Sequence, residues 1–198
     1  MASLTRRHPL SANMSDEKIL ACFAEYLLIH RNEITSEWLK AVKRDPDIKS
    51  SQHVDYAELV DHLPTILEDL AERLKNPQAY CDYSALSHPG RSHGKFRWRQ
   101  GYRLAEVIRE AGIIRRILLR QWLDAFEREM PRFDKESRRT AEYIIHEAVD
   151  DVIADSAEQY LEEQEKSVSH LNSQLADAVA ELRLQKSAAD AANKAPDM

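Results

Sequence analysis

A stretch of 30 residues in the middle of the chain, HGKFRWRQGYRLAEVIREAGIIRRILLRQW from His93 to Trp122, constrains the fold most. At helical spacing its apolar residues share one broad stripe, which predicts an amphipathic helix with that stripe buried. Only 4 glycines in 198 residues and the absence of an alternating strand pattern extend this interpretation to the whole chain. We therefore expect an all-α protein, built as an antiparallel helical bundle. The predicted stripe consists of Gly101, Leu104, Val107, Ile108, Ala111, Leu118, Trp122 and Phe126.

Two arginines lie within this apolar stripe. Arg97 and Arg115 are 18 residues apart, so about five helical turns return Arg115 to the azimuth of Arg97. A buried guanidinium without a partner is strongly destabilising. Each arginine alone is equally compatible with snorkelling at an end of the stripe. Their shared azimuth favours an internal polar cluster, in which each arginine meets a carboxylate or backbone carbonyls.

Prolines and polar loops divide the rest of the chain into further helices. Pro46 and Pro77 follow the ends of two predicted helices, and Pro64 fits the first turn of another because proline lacks the N–H that a helix interior requires. Gly112 lies inside the central helix, where glycine marks close packing or a bend. The predicted helices are 15–44 with Ser15 as N-cap, a region from about 54 to 74 interrupted at 63–64, a short helix at 78–86, the central helix, and a last helix from Asp134.

The last helix changes its pattern near residue 154. A seven-residue repeat begins there, and it predicts a coiled coil because apolar residues recur every three to four positions. A helix this polar does not persist as an isolated rod, so the simplest partner is the same segment of another copy. The alternative is a frayed, solvated tail. One position of the repeat holds Ala154, Leu161, Val168, Leu175, Leu182 and Ala189, and its companion holds Ala157, Gln164, Leu171, Ala178 and Gln185.

The charge distribution excludes some partners. The net charge is −6, but residues 89–139 carry 14 Lys and Arg against 7 Asp and Glu, and residues 140–198 carry 4 against 13. A basic middle beside an acidic end favours internal or inter-subunit pairing at least as much as an external anion. The basic helix lacks a recognition helix pair and interleaved aromatic residues, so we expect no nucleic acid partner. No apolar run approaches the ~20 residues of a membrane span.

The sequence contains no recognisable catalytic motif and predicts no enzyme activity. Cys22 and Cys81 form no CxxC pair, which suits a reducing compartment, and we expect a cytoplasmic protein. His88 and His93 with Asp82 have non-standard spacing for a metal site. No cofactor is predicted. Haem stays open, because His30, His62 and His146 lie on predicted helices, although a lone histidine on an apolar face is more often a hydrogen-bonded core residue.

The order of glycine, polar and apolar residues in the central stretch resembles the RsbRD N-terminal domain family, the helical input domain of stressosome co-antagonists. Similar domains occur at the N-terminus of soluble bacterial sensor histidine kinases. The resemblance covers roughly residues 19–155 and departs at Ala111-Gly112, where a bulkier pair is expected. It is carried by Ile34, Trp38, Leu39, Val42, Asp45-Pro46, Asp61, Leu63-Pro64, Leu67, Leu70, His93-Gly94, Arg97, Gly101-Tyr102, Leu104, Glu106, Glu110, Arg115 and Trp122.

The resemblance implies a non-catalytic sensor or regulatory domain of bacterial signal transduction. It also enlarges the internal polar cluster into a candidate signal-sensing site, to which we add the histidine of the first helix. The competing hypothesis is a small-molecule or haem-binding protein with its ligand inside the bundle. The candidate sensing residues are His93, Arg97, Tyr102, Glu106, Glu110, Arg115 and His30.

The C-terminal heptads resemble the linker helix that precedes the phosphoacceptor helix of histidine kinases. This implies a parallel homodimer, whose interface would consist of Leu161, Val168, Leu171, Leu175 and Leu182. The output would be a protein partner or a kinase region, so that the chain is either a stand-alone module or a kinase truncated before its dimerisation domain. The expected division is a disordered lead-in (1–14), the helical bundle (15–155), the coiled-coil linker helix (156–192) and a disordered end (193–198).

Overall fold

The computed structural model describes residues 16–60, 62–77 and 89–193, and within these residues every regular element is helical. The predicted all-α fold with a long C-terminal helix is confirmed. A 3₁₀ turn, Ser50–His53, follows α2, and a π-helical turn, Leu118–Trp122, joins α6 to α7. The helices are α1 (Asp16–Ile29), α2 (Arg31–Arg44), α3 (Tyr56–Val60), α4 (Leu63–Lys75), α5 (Pro89–Arg99), α6 (Leu104–Ile117), α7 (Leu123–Glu129) and α8 (Lys135–Asn193).

Proline marks helix boundaries as predicted. α2 ends at Arg44, before Pro46, and Pro64 lies in the first turn of α4, which ends before Pro77. The N-cap at Ser15, the lead-in 1–14, the short helix 78–86 and the end 194–198 lie outside the described residues. So do Asp61, Cys81, Asp82 and His88.

The first predicted helix is divided at His30, which separates α1 from α2. Hydrogen bonds still cross this bend, because the His30 N–H donates to the Tyr26 carbonyl at 3.1 Å and the Ile34 N–H donates to the His30 carbonyl at 3.0 Å. The imidazole packs between two aromatic rings, with centroid distances of 4.6 Å to Tyr26 and 5.0 Å to Trp122. The prediction of one continuous helix from 15 to 44 is therefore wrong, and the histidine marks the bend.

The prediction of one central helix is also wrong, because Gly101 ends α5. Its φ of +76° places it in the left-handed region that glycine adopts readily. The Gly101 N–H donates to the Trp98 carbonyl and the Tyr102 N–H to the Arg97 carbonyl, both at 3.0 Å. These two bonds form a Schellman motif, which closes the C-terminus of a helix.

This break changes the predicted stripe. Arg97 lies on α5 and Arg115 on α6, so a single helical azimuth no longer relates them. The chain restarts with α6 in a new direction, which leaves Ile108 exposed and buries Ile113 instead. Gly112 marks neither close packing nor a bend, because α6 continues through it and nothing lies within 4 Å of the position its Cβ would take.

Most helix pairs in the bundle run antiparallel. Glu25 of α1 pairs with Lys75 at the end of α4, whereas Arg31 at the start of α2 pairs with Glu68, further toward the start of α4. α2 and α6 are likewise antiparallel. Asp45, just after the end of α2, meets Arg109 of α6 at 2.8 Å, and Glu37 accepts a hydrogen bond from Trp122 beyond α6.

α5 and α8 run side by side in the same direction, so this pair departs from the antiparallel pattern. Going along α5, Gly90 lies against Val152, Gly94 against Ser156 and the Trp98 ring against the Tyr160 ring. The two glycines let the backbones approach closely. The Ser156 hydroxyl donates to the Gly90 carbonyl at 3.0 Å, and a Cβ at Gly94 would lie 2.1 Å from the Ser156 carbonyl oxygen.

The last helix continues far beyond the bundle. α8 has 59 residues and is about 88 Å long at 1.5 Å per residue. Its buried positions continue to Tyr160, five residues beyond the predicted bundle boundary at 155, and from Leu161 its apolar residues are exposed. Within the described residues, no helix combines the length and apolar character that crossing a bilayer requires.

The two helical glycines at 94 and 112 should respond to alanine in opposite directions. We expect Gly94→Ala to lower the free energy of unfolding by at least about 2 kcal/mol, because its Cβ would collide with backbone that cannot move cheaply. Gly112→Ala should raise it by up to about 1 kcal/mol, since alanine favours the helix interior and the site is open. Urea unfolding of both variants would measure this. Equal effects at the two positions would contradict the close packing of α5 on α8.

Candidate functional site

Arg97 is fully buried, and each of its three guanidinium nitrogens donates a hydrogen bond to a neighbouring residue. Nε donates to Glu110 Oε2 of α6 at 2.7 Å, Nη1 to Gln100 Oε1 at 2.7 Å, and Nη2 to the Leu59 carbonyl of α3 at 2.9 Å. The prediction that Arg97 meets a carboxylate or backbone carbonyls inside the bundle is confirmed, since it meets one of each. The ion pair therefore joins α3, α5 and α6 at one buried point.

Tyr102 covers this ion pair. The Schellman motif at Gly101 places the Tyr102 ring 4.9 Å from the guanidinium carbon of Arg97, within the range of a cation–π contact. Its hydroxyl faces the Glu110 carboxylate, but no hydrogen bond of normal geometry joins them, and Glu110 Oε1 also has no donor. Burial, and then the Glu110 charge, raise the pKa of the Tyr102 hydroxyl far above its usual range, so it stays protonated.

His93 completes what we call the Arg97 cluster: His93, Arg97, Tyr102 and Glu110. Its Nε2 lies 3.6 Å from Glu110 Oε2. Burial, and then the positive charge of Arg97, hold the pKa of His93 well below its usual range, so the imidazole is neutral and forms no ion pair with Glu110. Burial also raises the pKa of Glu110, although Arg97 opposes this shift. The cluster thus contains a single strong charge pair.

The space beside the Arg97 cluster is small. A cavity of about 20 Å³ borders His93 and Glu110. Its other lining residues are apolar and come from α2, α4, α6 and α8. Ligand pockets are usually about 300–1,000 Å³. The cluster therefore offers room for about one water molecule and none for an organic ligand. Chemically it can change charge or geometry, but it cannot enclose a substrate.

Glu106 lies outside the Arg97 cluster and holds a turn. Its carboxylate accepts hydrogen bonds from the N–H groups of Lys49 (2.8 Å), Ser50 (3.2 Å) and Arg103 (2.8 Å), and from the Ser50 hydroxyl (2.9 Å). Burial alone would raise the pKa of Glu106, but the bonds from Arg103 and Ser50 outweigh it and lower the pKa to about 2. Glu106 thus caps α6 and ties it to the 3₁₀ turn after α2.

Besides Glu106, two further residues of the predicted sensing cluster, Arg115 and His30, lie outside the Arg97 cluster. Arg115 meets a carboxylate, as predicted, but that carboxylate is Asp150 of α8 at the bundle edge; the Arg115 side chain is 25% exposed and that of Asp150 61%. The prediction that Arg115 is internal is wrong because it assumed one unbroken helix. His30 lies in the aromatic contact with Tyr26 and Trp122 at the α1–α2 bend, away from Arg97.

A larger cavity of about 470 Å³ opens at the surface between α1 and α7. No residue of the predicted sensing cluster lines it. Of the three histidines considered for haem, His146 is exposed, His30 packs against the Tyr26 and Trp122 rings, and His62 packs against the His93 and Phe96 rings. The cavity is lined by Ala21, Cys22, Glu25, Tyr26, Ile29, Phe126, Glu129 and Met130.

Sequence reasoning missed several residues that position the cluster. The Trp38 indole N–H donates to the Glu110 carbonyl at 3.1 Å, and the Tyr160 hydroxyl donates to the Tyr102 carbonyl at 2.8 Å. It also missed a second buried arginine, Arg73, which pairs with Asp69 at 2.8 Å and with Asp151 of α8. A detectable signal was the glycine four residues after Arg97, since glycine followed by an apolar residue is typical of a helix C-terminus.

Removing the Arg97 guanidinium should destabilise the protein far more than removing that of Arg115. We expect Arg97→Met to lower the free energy of unfolding by about 3–5 kcal/mol because it leaves Glu110 buried and unpaired. Arg115→Met should cost at most about 1 kcal/mol, since its partner is exposed. Denaturant unfolding measures both, with the exposed Arg99→Met as control. If Arg97→Met resembles the control, the buried pair contributes little; recovery in Arg97→Met/Glu110→Leu would identify the uncompensated charge as the cause.

Glu106 should make the protein sensitive to acid. Its folded-state pKa of about 2 lies below the ordinary value of 4.5, so its contribution is complete above pH 4.5 and is lost as the pH falls toward 2. The shift corresponds to about 3 kcal/mol at neutral pH. We expect Glu106→Gln to be less stable than the wild type at pH 7, with a difference at least halved at pH 3 in urea titrations. A constant difference would contradict this, and the exposed Glu136→Gln serves as control.

Comparison with known proteins identifies a family. No curated protein and no solved structure matches the chain. The family model of the RsbT co-antagonist protein rsbRD N-terminal domain matches residues 32–175, which include the whole Arg97 cluster and the first part of α8 beyond the bundle. The match begins later and ends later than the resemblance at 19–155, and it confirms that resemblance. The chain belongs to the RsbRD N-terminal domain family, a family of regulatory input domains.

Proposed function

We propose that this chain is a non-catalytic, cytoplasmic sensor domain that relays a signal through a parallel, dimeric coiled coil formed by α8. The observation that carries the proposal is a row of exposed apolar residues beyond Tyr160. They recur at heptad spacing and are between 46% and 64% exposed in the single chain. These residues, which we call the α8 seam, are Leu161, Val168, Leu171, Leu175 and Leu182.

A second copy of the chain is the simplest cover for the α8 seam. A lone helix cannot shield its own apolar stripe, and most of its stability must come from packing. Identical helices bury identical stripes symmetrically, with the seam residues as knobs in the facing holes. Gln164 and Gln185 weaken the seam, which suits an element that shifts between two packings of similar energy. The family match to residue 175 supports treating this segment as part of the domain.

The output in this proposal is a protein. The matched family is described as a co-antagonist of RsbT, which supports a regulatory protein partner for this chain. The resemblance of the heptads to kinase linkers supports a second form of the same output, a histidine kinase region driven by the rotation or shift of α8. Both forms of output require parallel helices, because only a parallel pair directs its two C-termini toward the same output.

Charge in the α8 seam should separate the two subunits without unfolding the bundle. We expect Leu175→Glu/Leu182→Glu to weaken dimerisation at least about a hundredfold, since each buried leucine contributes roughly 1.5–3 kcal/mol and two are lost per chain. Sedimentation over a range of concentrations would measure this. The bundle unfolding transition should stay close to wild type, because the seam lies beyond the last buried residue. Total helical content should fall, since the separated α8 segments lose the packing that stabilises them.

The matched control is Val179→Glu/Leu184→Glu. These residues are also apolar and exposed on α8, but they lie outside the two seam positions. The control should remain dimeric. A dimer that survives in the seam variant would mean that the bundle itself forms the interface and would refute the proposed relay. Dissociation of both variants alike would place the contact on another face of α8.

A further inference from the structure

The point at which α8 leaves the bundle is held by one aromatic residue. Tyr160 is the last buried residue of α8, and Leu161 immediately after it is exposed. The Tyr160 ring packs edge-on against Trp98 of α5 with a centroid distance of 5.1 Å. Its hydroxyl donates to the Tyr102 carbonyl at 2.8 Å. The last buried contact of α8 is therefore made with the turn between α5 and α6.

That same turn carries the Arg97 cluster. The Tyr102 carbonyl receives the Tyr160 hydroxyl, the Tyr102 N–H donates to the Arg97 carbonyl, and the Tyr102 ring lies over the Arg97 guanidinium. Tyr102 and Arg97 therefore link Tyr160 to Glu110 through a chain of direct contacts. The Tyr102 backbone is thus bonded to Arg97 through its N–H and to Tyr160 through its carbonyl, so we expect a displacement of Arg97 to move that carbonyl as well.

Other contacts near the exit reach a different part of α5. The Ser156 hydroxyl binds the Gly90 carbonyl, and Arg91 pairs with Glu158 at 3.1 Å and Glu162 at 3.0 Å. These contacts hold α8 against the first turn of α5, about two turns before the ion pair. They anchor the helix but do not touch the turn that carries the cluster.

We propose that Tyr160 is the positioning residue that couples the Arg97–Glu110 ion pair to the coiled-coil segment of α8. The hydrogen bond from its hydroxyl to the Tyr102 carbonyl transmits a change at the ion pair to the first heptads beyond the bundle. This inference rests on the proposed function for the role of α8. It concerns one hydrogen bond, whose role can be refuted while the proposed function stands.

A double-variant cycle in the full chain tests the coupling. Glu110→Gln neutralises one partner of the ion pair, and Tyr160→Phe removes only the hydroxyl and keeps the ring against Trp98. The readout is amide hydrogen exchange of residues 161–175 relative to that of residues 63–75 in α4, so a general loss of stability cancels. Each single variant should raise this ratio about fivefold, the effect of losing one hydrogen bond. The double variant should show no further increase.

Two controls keep the outcome decisive. Tyr143→Phe removes a hydroxyl from an exposed tyrosine on the same helix, and its effect should simply multiply with that of Glu110→Gln. If Glu110→Gln fails to fold, Gln100→Ala replaces it, because this change removes one acceptor of the Arg97 guanidinium and keeps Glu110. Multiplying effects of Glu110→Gln and Tyr160→Phe, or equal changes in α4 and α8, would overturn the inference.

Sedimentation of the same samples separates this inference from the proposed function. If the protein is a dimer and the effects of Glu110→Gln and Tyr160→Phe multiply, the proposed function stands and Tyr160 has no coupling role. A monomer would refute the coiled coil. The exchange of residues 154–160, which lie in the bundle in either case, would then still report whether Glu110→Gln acts on α8 through Tyr160.

Discussion

Burial of the Arg97–Glu110 ion pair is the constraint on which the surrounding structure depends. Removing both charges from water costs several kcal/mol per ion, and attraction offsets this only with good geometry and further hydrogen bonds. The other two guanidinium nitrogens of Arg97 donate to the Gln100 side chain and the Leu59 carbonyl, so α3, α5 and α6 must meet at one place. The break at Gly101 follows from the same requirement, because an unbroken helix could not fold Glu110 back onto Arg97. The pair thus specifies an arrangement more than it adds stability.

Helical periodicity in the sequence was sufficient to predict the all-helical class and the long last helix. The prolines were sufficient to predict several helix boundaries. The predictions from periodicity were wrong where the backbone turns within a predicted helix, at His30 and at Gly101. The apolar pattern of 93–122 continues through Gly101 because both halves bury one face, and a break between two such helices leaves little trace in that pattern. The left-handed glycine was the only local sign, and the prediction assigned it to the stripe. The bend at His30 carries neither glycine nor proline and had no local sign at all.

The candidate site divides in a way that residue types alone could not show. His93, Arg97, Tyr102 and Glu110 meet, while Glu106, four residues before Glu110, faces backbone N–H groups near Ser50 instead. Two carboxylates one turn apart thus have opposite pKa shifts, because one is buried mainly beside a single arginine and the other accepts several hydrogen bonds. Glu110 pairs with Arg97, 13 residues away on another helix, and Glu106 accepts hydrogen bonds from Ser50 and Lys49, 56 and 57 residues away. Such distant pairings depend on the packing of helices, which spacing within one helix does not specify.

The free energy of breaking the Arg97–Glu110 ion pair is comparable to the free energy needed to switch a helical relay between two states. Moving a two-state element from 1:99 to 99:1 takes about 5.5 kcal/mol, and breaking a buried ion pair costs about 3–5 kcal/mol, which is of similar size. A surface pair such as Arg115–Asp150, worth at most about 1 kcal/mol, could bias that element only slightly. The cavity beside the cluster is too small for an organic ligand, so a signal that acts on the ion pair has to change a charge or displace a helix. Within the proposed relay, the sensitive element is therefore the buried pair, and α8 reports its state where Tyr160 holds the exit.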